Sequence, residues 1–146
     1  MSNLFRNRFS FNENLNHWNT ANVTDMSGMF GEARSFNQSL PHSFNTANVT
    51  DMSYMFYYAT SFNQPLSFNT TNVTNMSMMF RNANSFNQPL PQSFNTVNVT
   101  DMSHMFHDAE SFNQPLDSFN TENVTDMRYM FSGADVFNQP LDSFDT

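Results

Sequence analysis

The chain has 146 residues, a net charge of −8 and no Cys, with 18 Phe, 12 Met and only 12% charged residues. The acidic balance argues against nucleic acid as the main partner, since phosphate contacts need a basic stripe. Missing Cys excludes disulfides and thiolate metal sites, and no apolar run is long enough to span a membrane.

Read from the N-terminus, the chain begins inside a repeat: MSNLFRNRFSFNENL at 1–15 aligns with MSYMFYYATSFNQPL at 52–66. NVT then recurs five times, from Asn22, Asn48, Asn72, Asn98 and Asn123. Cutting after each F[ND]T gives a partial coil at 1–20 and coils at 21–46, 47–70, 71–96, 97–121 and 122–146. A period of 24 to 26 residues predicts a repeat solenoid forming one domain over 1–146, in which neighbouring coils share one core. Arg8 stands where later coils have Ala33, Ala59, Ala83, Ala109 and Ala134, so the first coil reads as an N-terminal cap.

Within a coil, Met52, Met55, Phe56 and Ala59 fall at i, i+3, i+4 and i+7, which predicts a short helix with Thr50 or Asp51 as its N-cap. FNQPL and FNTxNVT read as short parallel strands. Pro65, Pro89, Pro115 and Pro140 interrupt their hydrogen-bond ladder, because Pro has no N–H. Coil lengths differ only between the Leu of FNQPL and the next aromatic (Pro41–Ser43, Ser67, Pro91–Ser93, Asp117–Ser118), which marks a surface loop.

The recurring FNQPLxxFNTxNVTDMSxMFxxA resembles the short-repeat branch of the BspA-like leucine-rich-repeat surface proteins, over the whole chain. The resemblance implies a right-handed leucine-rich-repeat-like solenoid with short parallel strands and a short helix per coil. It also implies an adhesion or interaction role at a cell or virion surface, with no catalytic residues to carry over. The chain lacks both a signal-peptide-like start and a Cys for a lipid anchor, and its localisation is left open.

Five Met pairs spaced three apart (Met26/Met29 to Met127/Met130) could bind Cu(I), but this spacing suits core packing better. Asp25, Asp51, Asp101 and Asp126 stack in register with Asn75. They could hold Ca²⁺, but a row of N-caps explains them more simply. The Asn rows of FNQ, FNT and NVT read as structural ladders, although each NVT is also a glycosylation acceptor by sequence. Thr-x-Asn-x-Thr would give an ice-binding-like lattice if all three polar residues faced outward. No catalytic set, phosphate loop or cofactor motif occurs, so no enzyme, metal or cofactor is expected.

The informative positions are those where the coils disagree. Opposite the buried face lie Tyr54, Tyr57, Tyr58, Met78, Arg81, His104, His107 and Tyr129, a candidate interaction face rich in residue types that dominate interfaces. Phe137, Leu141 and Phe144 keep the core pattern to the last coil, a candidate assembly end. The sequence thus predicts a non-enzymatic structural or protein-interaction solenoid that self-assembles through its uncapped C-terminal end. The alternatives are a surface adhesin or glycan-binding module and, more remotely, an ice-binding protein.

Overall fold

The computed structural model describes residues 1–144; Asp145 and Thr146, which close the last FDT, lie outside the described residues. Among those described, no residue is helical, and β-structure is confined to isolated parallel bridges, Asp25–Asp51–Asn75–Asp101–Asp126. The expected leucine-rich-repeat-like solenoid, with a helix and strands in every coil, is therefore not what this chain forms. Each repeat is built from turns and irregular extended backbone, and successive repeats are stapled together residue by residue.

The third repeat shows how the predicted helix is replaced. The N–H groups of Met55, Tyr57, Ala59 and Phe62 donate to the carbonyls of Met52, Tyr54, Phe56 and Ala59, closing consecutive i→i+3 turns at 3.0–3.2 Å. The alternate N–H groups of Met52, Tyr54, Phe56 and Tyr58 donate to Asn75, Ser77, Met79 and Arg81 of the next repeat, at 2.9–3.0 Å. From Met52 to Ala59 every amide is used, Ser53 donating to Asp51 Oδ1 at 2.8 Å. A two-turn helix satisfies only itself and is marginal in water, whereas this path bonds the repeat internally and to its neighbour. Consecutive tight turns bring residues three and four apart to one side, as a helix does. The sequence spacing therefore cannot separate the two.

The turns need left-handed backbone at two places per repeat. One slot holds Asn3, Gly28, Tyr54, Met78, His104 and Tyr129, with φ of 54 to 60°. The other holds Asn7, Glu32, Tyr58, Asn82, Asp108 and Gly133, with φ of 52 to 73°. Positive φ at the third residue of a four-residue turn is what a type II turn requires.

The core follows the repeat. Met52, Met55, Phe56, Ala59 and Phe62 are wholly buried, as are their equivalents in the second, fourth and fifth repeats. Phe5, Phe30, Phe56, Phe80, Phe106 and Phe131 form one column of stacked rings at 5.5–5.8 Å. Phe11, Phe36, Phe62, Phe86, Phe112 and Phe137 form a second at 5.6–6.0 Å, with the rings of one repeat 4.0–4.3 Å apart across the columns. A buried Phe or Met side chain stabilises by about 1.5–3 kcal/mol, so the ring columns and the Met pairs beside them together supply much of the stack's cohesion.

Side chains complete the ladder where Pro prevents a backbone one. Asn37 Oδ1 accepts the N–H of Asn63 at 2.9 Å and Nε2 of Gln64 at 3.1 Å, and the next repeats repeat this pair. The buried Thr of FNT donates to the next repeat's Asn carbonyl (Thr46 to Asn69, 2.9 Å), and Nδ2 of NVT Asn donates backward (Asn72 to Ala47, 2.7 Å). The Asp row caps turns rather than helices: its carboxylates accept the N–H two residues on, as Asp101 does from Ser103 at 2.8 Å. The variable segments at 41–43, 67, 91–93 and 117–118 lie at the surface.

Candidate interaction face

In each repeat the first left-handed slot and the residue three places on are joined by a turn hydrogen bond, so their side chains emerge side by side. Tyr54 and Tyr57 meet edge to face at 5.5 Å, and Tyr57 meets Tyr58 at 4.7 Å. Nη1 of Arg81 lies 4.0 Å from Sδ of Met78, and the rings of His104 and His107 are 5.3 Å apart.

The ladder between repeats then lines these pairs up. The Arg81 guanidinium lies 5.9 Å from the Tyr57 ring, and Tyr129 stacks on His104 at 4.9 Å. Arg6 reaches further. Gly28 and Gly31 stand at these two positions in the second repeat, and a Cβ added there would meet Arg6 Nη1 and Cγ at 3.7 and 3.5 Å. Across that glycine gap Arg6 comes within 5.9 Å of the Tyr54 ring. Repeats one to six therefore share one lateral ridge, and it contains all the sequence-predicted face residues. Sequence reading missed Arg6, because its role depends on two absent side chains in a different repeat.

The ridge gathers much of the chain's scarce basic character. Three of the five Arg (Arg6, Arg81, Arg128) and two of the four His lie on or beside it. Arg128 pairs with Asp126 at 2.7 Å, and its hydrogen bonds hold the Asp126 carboxyl down at about 2. His107 Nε2 lies 3.2 Å from Asp108 Oδ2. Burial pushes His104 below its ordinary 6.5, as do Arg81, His107 and Arg128, with Asp126 opposing. Among the described residues, four buried side-chain polar atoms find no partner in the protein: Arg81 Nε, Asn82 Oδ1, His104 Nδ1 and His107 Nδ1. All four belong to this ridge and its flank. Buried polar atoms are normally paired, so this clustering marks the ridge out from the rest of the stack.

Elsewhere the candidate residues disperse. Among the described residues no three His or carboxylate side chains converge, either around His104 and His107 or along the Asp row. Phe137 and Phe144 are half-buried, stacked on Phe112 and Phe119 at 5.9 and 6.1 Å, and Leu141 is exposed. In Thr-x-Asn-x-Thr the first Thr is buried, leaving Asn and the second Thr outward. No helix is long and apolar enough to cross a membrane among the described residues.

The family described as "Mycoplasma protein of unknown function, DUF285" matches residues 1–69 and again 66–146, covering every repeat. The chain belongs to the DUF285 family. No curated protein and no solved structure matches it. In this DUF285 chain each match spans about three stacked repeats, so the unit the family describes is longer than the single turn-built repeat.

Proposed function

We propose that this DUF285 chain is a non-enzymatic interaction module, with a rigid repeat stack displaying the Arg–Tyr–His ridge to a protein partner. One observation carries the reading. Tyr54, Met78, His104 and Tyr129 occupy left-handed slots where Gly28 and Asn3 do the same backbone work without a bulky side chain. Left-handed backbone in such residues costs about 1–3 kcal/mol, and strain of this kind collects at functional sites. Tyr and Arg are the residue types that anchor protein interfaces, and the uncommitted Arg6 and Arg81 charges favour a partner segment carrying carboxylates.

A display library of natural peptides, selected on the intact chain and counter-screened on Tyr57→Ser/Arg81→Glu, tests this. The reading requires acidic, apolar-bearing peptides that bind the parent and not the variant. Peptides that bind both equally would refute it.

A second reading, a surface adhesin or glycan-binding module, draws on the resemblance to BspA-like surface proteins and on the half-buried Tyr54 and Tyr57 rings and the exposed Tyr129, which suit a sugar face. Specific glycan-array binding that disappears in Tyr54→Ser/Tyr57→Ser would replace the first reading with this one. An ice-binding role has weaker support, because the buried Thr46, Thr70 and Thr96 remove one of the three polar columns it needs.

A further inference from the structure

We infer that the ridge holds its acidic partner more tightly in mildly acidic solution than at neutral pH, because His104 takes up a proton as the partner's carboxylate arrives. This rests on the reading of the ridge as a protein-interaction face and adds how that face is regulated.

The backbone ladder sets the geometry. Met78 and Asn82 donate their amides to the Ser103 and His107 carbonyls at 2.9 Å, so Arg81 and His107 are successive members of one ridge column, and Met78 and His104 of the other. The two imidazoles meet at 5.3 Å, and a carboxylate that pairs with Arg81 therefore arrives beside both. Arg81 has none of its own. Among the described residues it makes no ion pair, and its Nε is buried without a partner.

The charge around His104 is either positive or already engaged. Arg81 acts on it from the repeat before, His107 from its own, and Arg128 from the repeat after, where Tyr129 stacks on its ring at 4.9 Å. The nearby carboxylates are taken. Asp126 Oδ2 accepts Nη2 of Arg128 at 2.7 Å, and Asp101 Oδ1 accepts the Ser103 N–H at 2.8 Å. Asp108 Oδ2 accepts Nδ2 of Asn82 at 3.3 Å and lies 3.2 Å from His107 Nε2. An imidazolium at His104 thus lacks a free counter-charge within the chain. Its Nδ1 is enclosed without a partner, which leaves Nε2 as the atom that a partner carboxylate reaches.

In the free chain burial holds His104 below its ordinary 6.5, and Arg81, His107 and Arg128 add to this against Asp126. A carboxylate brought against Arg81 offsets those positive charges and accepts from the imidazolium, so it raises the His104 pKa. The complex then binds a proton that the free chain lacks. Affinity consequently rises as pH falls through the interval between the two values.

Isothermal titration calorimetry tests this with His-free acidic peptides selected on the intact chain at neutral pH. Binding is compared at about pH 7.5 and about pH 5.5, a range over which peptide carboxylates stay ionised. The parent should bind about tenfold tighter at the lower pH, and heats in buffers of different ionisation enthalpy should report net proton uptake. In His104→Gln the ratio of the two affinities should fall toward one and the uptake should drop, whatever its affinity at neutral pH. His42→Gln, in an exposed variable segment, should keep the parent's ratio. Circular dichroism checks that every chain is folded at both pH values. A parent affinity that is level or weaker in acid, a ratio undiminished in His104→Gln, or one lost equally in His42→Gln would overturn the coupling and leave the ridge reading in place. A selection that retains no acidic peptide would overturn the ridge reading itself, and the coupling with it.

Discussion

Tyr54 donates its backbone N–H to the Ser77 carbonyl of the next repeat at 2.9 Å, from a left-handed conformation with φ of 58°. The two facts are linked. The left-handed residue lets the turn at Met52–Met55 close while its own amide points out along the stack. The backbone at this slot is therefore dictated by the fold, and the side chain is not.

Tyr54→Gly should consequently keep or raise the melting temperature, since glycine removes a backbone cost of about 1–2 kcal/mol. Tyr57→Gly, three residues on and outside the left-handed slots, should lower it. Thermal melts compare the two, and an equal loss would show that the slot is not under backbone strain.

Met102→Ala and Phe106→Ala should each destabilise by about 2–5 kcal/mol, because both side chains are wholly buried and the stacked repeats on either side cannot collapse into the space. His104→Ala, on the outer ridge, should cost far less. Denaturant unfolding measures the difference.

Asn63→Leu should cost about 1–3 kcal/mol, by leaving the Asn87 N–H and the Gln88 amide without their shared acceptor. Asn63→Asp keeps an acceptor oxygen in place and should lose less. If the two variants unfold alike, the amide ladder is not what bridges the Pro-containing segment.

Acid should weaken the fold in two stages. His104 is held below 6.5 in the folded chain, so the unfolded chain binds that proton more readily, and stability falls as pH drops through the ordinary His range. Asp126, held at about 2 by Arg128, contributes stability above the ordinary 3.8 that is lost as pH falls toward its folded value. Asp25 acts in the same direction: burial pulls its carboxyl up, but the hydrogen bonds from Ser27 outweigh that. His104→Gln should flatten the melting-temperature profile between neutral pH and about pH 5, and Asp126→Asn should flatten the more acidic limb.

The core and the surface position of the variable segments were legible because each follows from spacing alone. The local backbone was not. Met52, Met55, Phe56 and Ala59 fit a helix and a train of i→i+3 turns equally well, and only the destination of the alternate amides distinguishes them. Asp51 likewise suits a helix N-cap or an Asx turn, since either takes an N–H two residues on. The ridge was legible in part: Tyr57, Arg81 and His107 stand out where the repeats disagree. Arg6 does not, because its reach to Tyr54 depends on Gly28 and Gly31 carrying no side chains.

Residue-resolved hydrogen exchange tests most directly the claim that alternate amides join the repeats. The account predicts slow exchange at Tyr54, Phe56 and Tyr58, whose amides donate to the next repeat although Tyr54 and Tyr58 lie toward the surface. Fast exchange at all three in the folded chain would contradict it.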